Sequence, residues 1–358
     1  MRCNATARTE RPGPPDQGDS IMKRGFCVAA AAGLIAACAA FAVPPALAAG
    51  PMVLKISHQF PANTDFRDTI ARRFAQEVEK RTNGQLKFQI YPGASLYKAT
   101  QQFDALQSGA LDMTVYPLAY SGGKLPAVNL TLMPALIKNY KQAYDWENAD
   151  IGKWLEKYLS DHGVILVTWV WQGGGVASRD HPILVPPDVK GLKVRGAGKM
   201  IELMLQAAGA SIATFPSNET YSAMQSGVVD ALWTSSASLM SFRLQEVAKY
   251  VTTAQDHSFW YMFEPLLMSK ATYDKLTPEQ QKIVMDVGHS LQKYALDACK
   301  ADDEKVAEVY GKAGAKVLQM NEQQFLEWKK VAQQSAYKDF AAQVKDGQKL
   351  LDMAEAVK

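Results

Sequence analysis

Cysteine is nearly absent from the body of this sequence. Of four cysteines in 358 residues, Cys3, Cys27 and Cys38 fall within the first 48, and Cys299 is alone in the rest. Residues 49–358 therefore have neither a disulfide framework nor a thiolate metal site. Charge of one sign is lacking too. Positions 1–48 hold five of the 39 Lys and Arg and three of the 36 Asp and Glu, leaving a balance near +1. That argues against nucleic acid or a polybasic membrane contact. Beyond position 48 no apolar run is long enough to span a bilayer.

Enzyme signatures are also missing. Gly196-Ala197-Gly198-Lys199 hints at a phosphate loop, but Lys193 stands where its leading glycine belongs and Met200 where Ser or Thr should follow. Gly173-Gly174-Gly175 is not a dinucleotide fingerprint, since Ala177 and Ser178 follow it. There is no nucleophile elbow, and His58, His162, His181, His257 and His289 have no metal-ligand spacing. No catalytic residue, metal or cofactor is expected.

What is present begins with a leader. From Met22 the chain reads Lys23-Arg24, an apolar run from Phe26 to Val43, then Pro44-Pro45 and Ala46-Leu47-Ala48. This is an export signal with cleavage after Ala48. A lipoprotein signal at Cys38 ranks second, because Ile35 leads its tetrad instead of leucine. Residues 1–48 are removed on this reading, and the mature chain is exported.

The rest carries an internal echo. 103-FDALQSGALDM-113 and 221-YSAMQSGVVDA-231 share Ala, Gln, Ser, Gly and Asp in register. Each reads as a helix end, a glycine just past it and a strand. Upstream of each copy lies a strand ending in aromatic-Pro (Tyr91-Pro92, Phe215-Pro216), preceded by a strand and a helix. The first helix spans about Asp65 to Arg81, with Phe66, Ile70, Phe74 and Val78 on one face. Two such units predict two similar α/β lobes with parallel strands. Ser258–Ser269 reads as one apolar strand. Thr277-Pro278-Glu279-Gln280 starts a long helix with a capping box.

Ligands of open α/β sheets sit beyond the carboxyl ends of the strands. In the first lobe those ends carry His58, Phe60, Tyr91 and Tyr116; in the second, Arg195, Phe215, Trp233, Thr234 and Ser235. Arg195 is the fixed cation among them, and its planar fork of donors suits a carboxylate. A strand-end arginine paired with a surface acid is the plainer alternative.

These residues, with HQFPANTDF, YPGASL, GLKVR and 273-YDKLTPEQQ-281, resemble the periplasmic substrate-binding proteins of TRAP transporters, the DctP-like family. The resemblance covers about Lys55 to Lys345. It implies a type II periplasmic-binding-protein fold, with two lobes joined by crossing strands and a long C-terminal helix. Lobe 1 would be 49–171 with 260–299, and lobe 2 would be 172–259 with 300–358. It also implies capture of a small organic acid by closure, Arg195 on the carboxylate, and delivery by a monomer to the small and large membrane subunits of the transporter.

Two departures bear on the ligand. Many acid-binding members have a second arginine where Gly174 stands, and an Asn near the position of Thr234. Glycines 173–175 then leave room, and Trp171, Trp233, Phe259 and Trp260 offer ring faces. These point to a monocarboxylate with a bulky or aromatic body. Arg243 is a spare cation for a second carboxylate, which would favour a dicarboxylate or keto acid instead. A receptor for a signalling system fits the same residues, and a secreted enzyme on this scaffold is the contrasting class.

Overall fold

The computed structural model describes residues 50–254, 258 and 260–358. The leader with Ala48 and Cys38, and also His257 and Phe259, lie outside the described residues. The chain builds two sheets. The first has the order β2-β1-β3-β11-β4, from Met52–Ser57 (β1), Leu86–Tyr91 (β2), Met113–Val115 (β3), Val164–Thr168 (β4) and Leu266–Ser269 (β11). The second has the order β12-β9-β5-β8-β6-β7. It is made of Trp171–Ser178 (β5), Lys193–Arg195 (β6), Ser211–Ala213 (β7), Ala231–Ser235 (β8), Tyr250–Thr252 (β9) and Lys316–Leu318 (β12), with Tyr261–Phe263 (β10) beside β5.

The echo is a topological repeat. β1 runs parallel to both β2 and β3, and β6 runs parallel to both β7 and β8. Each unit thus places its first strand between its second and third. Gly109 and Gly227, the paired glycines of the echo, both have φ of +74°. A side chain with Cβ disfavours that left-handed turn between helix and strand.

Local signals account for the helices that frame the site. Asp65 caps the Phe66–Arg81 helix by accepting from the Arg67 amide, and Ile70, Phe74 and Val78 are fully buried along one face. Each such side chain contributes roughly 1.5–3 kcal/mol by leaving water. Thr277 and Gln280 form the capping box that opens Pro278–Ser290. Gln292–Lys312 follows, 21 residues long, and packs on β5 in one lobe and on the Phe66–Arg81 helix of the other.

The two lobes, of the type II periplasmic-binding-protein fold, exchange the chain at two adjacent crossings. One joins β4 to β5, the other β10 to β11; the Glu264 amide donates to the Val170 carbonyl between them at 2.9 Å. Ser258–Ser269 is therefore not one strand. It breaks at Glu264-Pro265, where proline has no N–H to give a ladder and the Glu264 carboxyl is bound elsewhere. β10 belongs to the second sheet and β11 to the first.

Candidate functional site

Arg195 ends β6, the middle strand of the second repeat unit, and is 1% exposed. Its guanidinium reaches three neutral acceptors. Nε donates to the Phe215 carbonyl at 3.0 Å, Nη1 to the Trp233 carbonyl at 2.7 Å and Nη2 to the Tyr120 hydroxyl at 3.0 Å. Among the described residues no carboxylate stands within ion-pair distance of it. Glu202 and Glu264 both sense its charge, yet burial pushes both carboxyls up, toward their neutral forms. A guanidinium offers five N–H donors and stays charged, so this one is buried with donors to spare and no counter-charge.

A second buried arginine was not foreseen. Arg67 has no exposure, and Nε and Nη2 fork onto Asp65 at 2.7 and 2.6 Å. Nη1 donates to Glu264 at 2.7 Å and to Ser235 Oγ at 3.2 Å, and Nη2 to Ser238 Oγ at 3.0 Å. Gln172 also donates to Glu264. Burial works against a charge on Asp65, but the field and hydrogen bonds of Arg67 outweigh it and hold the carboxyl low. β8 joins the two arginines: the Trp233 carbonyl serves Arg195, Ser235 serves Arg67, and the buried Thr234 lies between.

The other expected residues divide into groups. Phe215 is half-buried, with its ring 6.0 Å from the Arg195 guanidinium carbon. Phe60 lies beneath Arg67 at 3.7 Å and stacks on His58. His58 Nε2 sits 3.2 Å from Asp68; burial would raise that carboxyl, but His58 and Arg72 hold it down at about 2. His58 and Phe60 thus belong to the Arg67 side. Tyr116 is buried against Phe103 and Tyr120. Tyr91 is turned away, its hydroxyl donating to the exposed Gln89 on the sheet edge.

Trp171, Trp233 and Trp260 are each fully buried. Trp171 packs on Trp146 and Phe263, and Trp233 meets Trp328. The glycine run does not open space: a Cβ on Gly174 would fall 1.8 Å from the Trp260 ring, one on Gly173 would approach Asp303, and one on Gly175 the Thr252 carbonyl. The room left by Gly174 is filled by Trp260. Arg243 is exposed at the surface and paired with Glu246.

Beside Tyr120 and Phe215 lies a cavity of about 370 Å³, walled by Ala119 and Asn129 on one lobe and by residues 196–199 on the other. Its size suits a small acid. Several buried polar atoms at the strand ends have no partner among the described residues: the Gln59 amide, Ser217 Oγ, and the indole nitrogens of Trp171 and Trp260. Each such atom costs about 1–3 kcal/mol unless a ligand or water satisfies it.

Tyr120, Arg67 and Glu264 carry no mark of the site in the sequence. Tyr120 lies in the short turn Leu118–Ser121 just past strand-end Tyr116, with its ring edge-on to that residue. Asp65-x-Arg67 at a helix start looks in sequence like surface capping. Only the tertiary fold brings Glu264 to it.

The profile of DctP, the bacterial extracellular solute-binding protein family 7, matches residues 56–343. A solute-binding protein of Albidiferax ferrireducens is 48% identical over 322 residues, covering 88% of this chain and 95% of its own. The C4-dicarboxylate-binding periplasmic protein DctP of Rhodobacter capsulatus is 29% identical, covering 75% of this chain and 80% of its own. A TRAP periplasmic solute-binding protein of Rhodoferax ferrireducens, solved with bound malonate, superimposes with a TM-score of 0.84 at 48% identity, covering 85% of this chain and 98% of its own.

A two-lobed fold with an unbalanced cation beside a small cavity defines a receptor for small organic acids. The chain belongs to the DctP family of TRAP-transporter periplasmic solute-binding proteins. It is a periplasmic receptor and not an enzyme.

Proposed function

We propose that the receptor, acting as a monomer, binds a compact dicarboxylate or keto acid and hands it to the membrane subunits of a TRAP permease. The observation that carries this is Arg195, a buried guanidinium without a carboxylate partner among the described residues. An acid's carboxylate supplies the missing charge through two parallel hydrogen bonds. Compactness follows from Trp260 over Gly174, which takes the space a bulky ligand body would need. Lys199 lines the same cavity with its Nζ paired to Asp339 at 2.8 Å, so a second carboxylate would share that cation with the aspartate. The malonate of the Rhodoferax structure and the C4-dicarboxylates of the Rhodobacter protein support this class.

A monocarboxylate with an aromatic body is the second reading, favoured by the unpartnered indole nitrogens of Trp171 and Trp260. A thermal-shift screen with malonate, succinate, 2-oxo acids and benzoate separates the two, because a ligand of the folded form raises Tm. Dicarboxylates or oxo acids should raise Tm by several degrees, and Arg195→Met should abolish the shift. Benzoate acting alone would give the site to the second reading. A full shift retained in Arg195→Met would remove the arginine from either.

A further inference from the structure

Tyr120 stands on the first lobe, in the short turn Leu118–Ser121 just after β3. Its hydroxyl oxygen accepts from two groups of the second lobe, Arg195 Nη2 and the Ser217 amide, both at 3.0 Å. Those bonds use the lone pairs of the phenol. Its own proton has no acceptor among the described residues, and the side chain lines the cavity that holds Phe215 and Lys199. The ring is braced edge-on by the buried Tyr116 at 6.0 Å, which fixes where the hydroxyl can point. A phenol that accepts from a guanidinium and an amide is polarised into a better donor. The acceptor that matches it is an anionic oxygen beside Arg195.

We propose that Tyr120 is a specificity-determining residue: its O–H donates to the same ligand carboxylate that Arg195 holds, so that one anion is gripped from both lobes. This rests on the carboxylate reading above. One contact then does two things. It favours a carboxylate over its amide or ester, since bonds from a guanidinium and a polarised phenol to an anion are roughly twice as strong as those to a neutral carbonyl. It also couples affinity to closure, because Tyr120 meets Arg195 and Ser217 only when the lobes are together.

The test is isothermal titration of the mature chain, with whichever acid of the panel above raises Tm most and with its fully amidated analogue, which keeps no carboxylate. Tyr120→Phe keeps the ring and removes the hydroxyl, and should leave the ligand-free Tm within about two degrees. The expected result is a roughly 10–100-fold weaker Kd for the acid, the scale of one hydrogen bond to a charged group, with a much smaller change for the amide. In an Arg195→Lys background the same substitution should cost clearly less, as expected of coupled neighbours. Ligand-free Tyr120→Phe should also scatter X-rays as a more open particle. If Arg195→Met destroys binding while Tyr120→Phe binds acid and amide as wild type does, the Tyr120 proposal is wrong and the carboxylate reading stands. If no acid stabilises the wild type, both fall.

Discussion

Arg67 and Arg195 are the same residue at the same depth, and they are handled in opposite ways. Arg67 spends all five donors on Asp65, Glu264, Ser235 and Ser238. Arg195 spends three on two carbonyls and a phenol, and no acid pairs with it among the described residues. A buried charge is tolerated when partners replace its water. Arg67 has them within the chain, where the Phe66–Arg81 helix, β8 and the β10–β11 crossing meet, so it pins the lobes at their junction. Arg195 has no such partner among the described residues, and on the proposed reading the ligand supplies it. Burial and residue type do not separate the two arginines. The carboxylate count does.

One substitution made at both positions breaks the comparison open. Arg67→Met strands Asp65 and Glu264 in the interior, and removing one partner of a buried pair typically costs about 3–5 kcal/mol. For a chain of this size that is a fall in Tm of roughly 6–10 °C, readable by calorimetry without ligand. Arg195→Met strands no acid. Its ligand-free Tm should fall by less than half as much, while acid affinity drops roughly 100-fold or more in titration, the scale of a lost charged hydrogen-bonded partner. Equal Tm losses would mean that Arg195 is as structural as Arg67.

The hinge offers a pH test of the same principle. Asp303, on the long Gln292–Lys312 helix, is nearly buried and accepts from the Tyr140 hydroxyl at 2.6 Å, with no cation paired to it among the described residues. Burial, only partly offset by Ser236 and Tyr140, raises its carboxyl to about 6, with Glu304 adding to the rise. A raised folded value means the folded state holds the proton longer. The stability this gives is complete below the ordinary carboxylate range and is lost as pH climbs through about 6. Asp303→Asn should therefore be more stable than wild type at pH 8, by roughly 1–3 kcal/mol. The gap should close below pH 4 in denaturant titrations. A constant gap across that range would assign the effect to packing.

The repeat, the lobes and Arg195 were legible in sequence because each leaves a local trace: paired glycines, strand-ending Phe-Pro and Tyr-Pro, and a charge at the end of β6. What was not legible depends on distant residues meeting. Glu264 lies 197 positions from Arg67, and nothing near either one announces the pairing. The glycine run misled for the same reason. Gly174 reads as open space until Trp260, from the far side of the second lobe's excursion, is seen to fill it. Tyr91 occupies the equivalent of Phe215 by repeat position, and both strands are sheet edges, yet Tyr91 turns its hydroxyl to the exposed Gln89.

Arg243 completes the series as the arginine with nothing at stake. In sequence it is a plausible second cation for a dicarboxylate. In the fold its side chain is 71% exposed and paired with Glu246 three residues on. Exposed pairs of this kind contribute about 0.2–1 kcal/mol at most. Its backbone sits at φ of 58°, a conformation that glycine adopts without strain. Arg243→Gly should therefore leave Tm within about two degrees, relief of the turn offsetting the lost pair. Dicarboxylate affinity should stay within about twofold, since a screened surface charge acts weakly on a buried site. A tenfold loss for succinate, with monocarboxylates unaffected, would instead make Arg243 the second anchor and move the ligand's far end out of the Lys199 cavity.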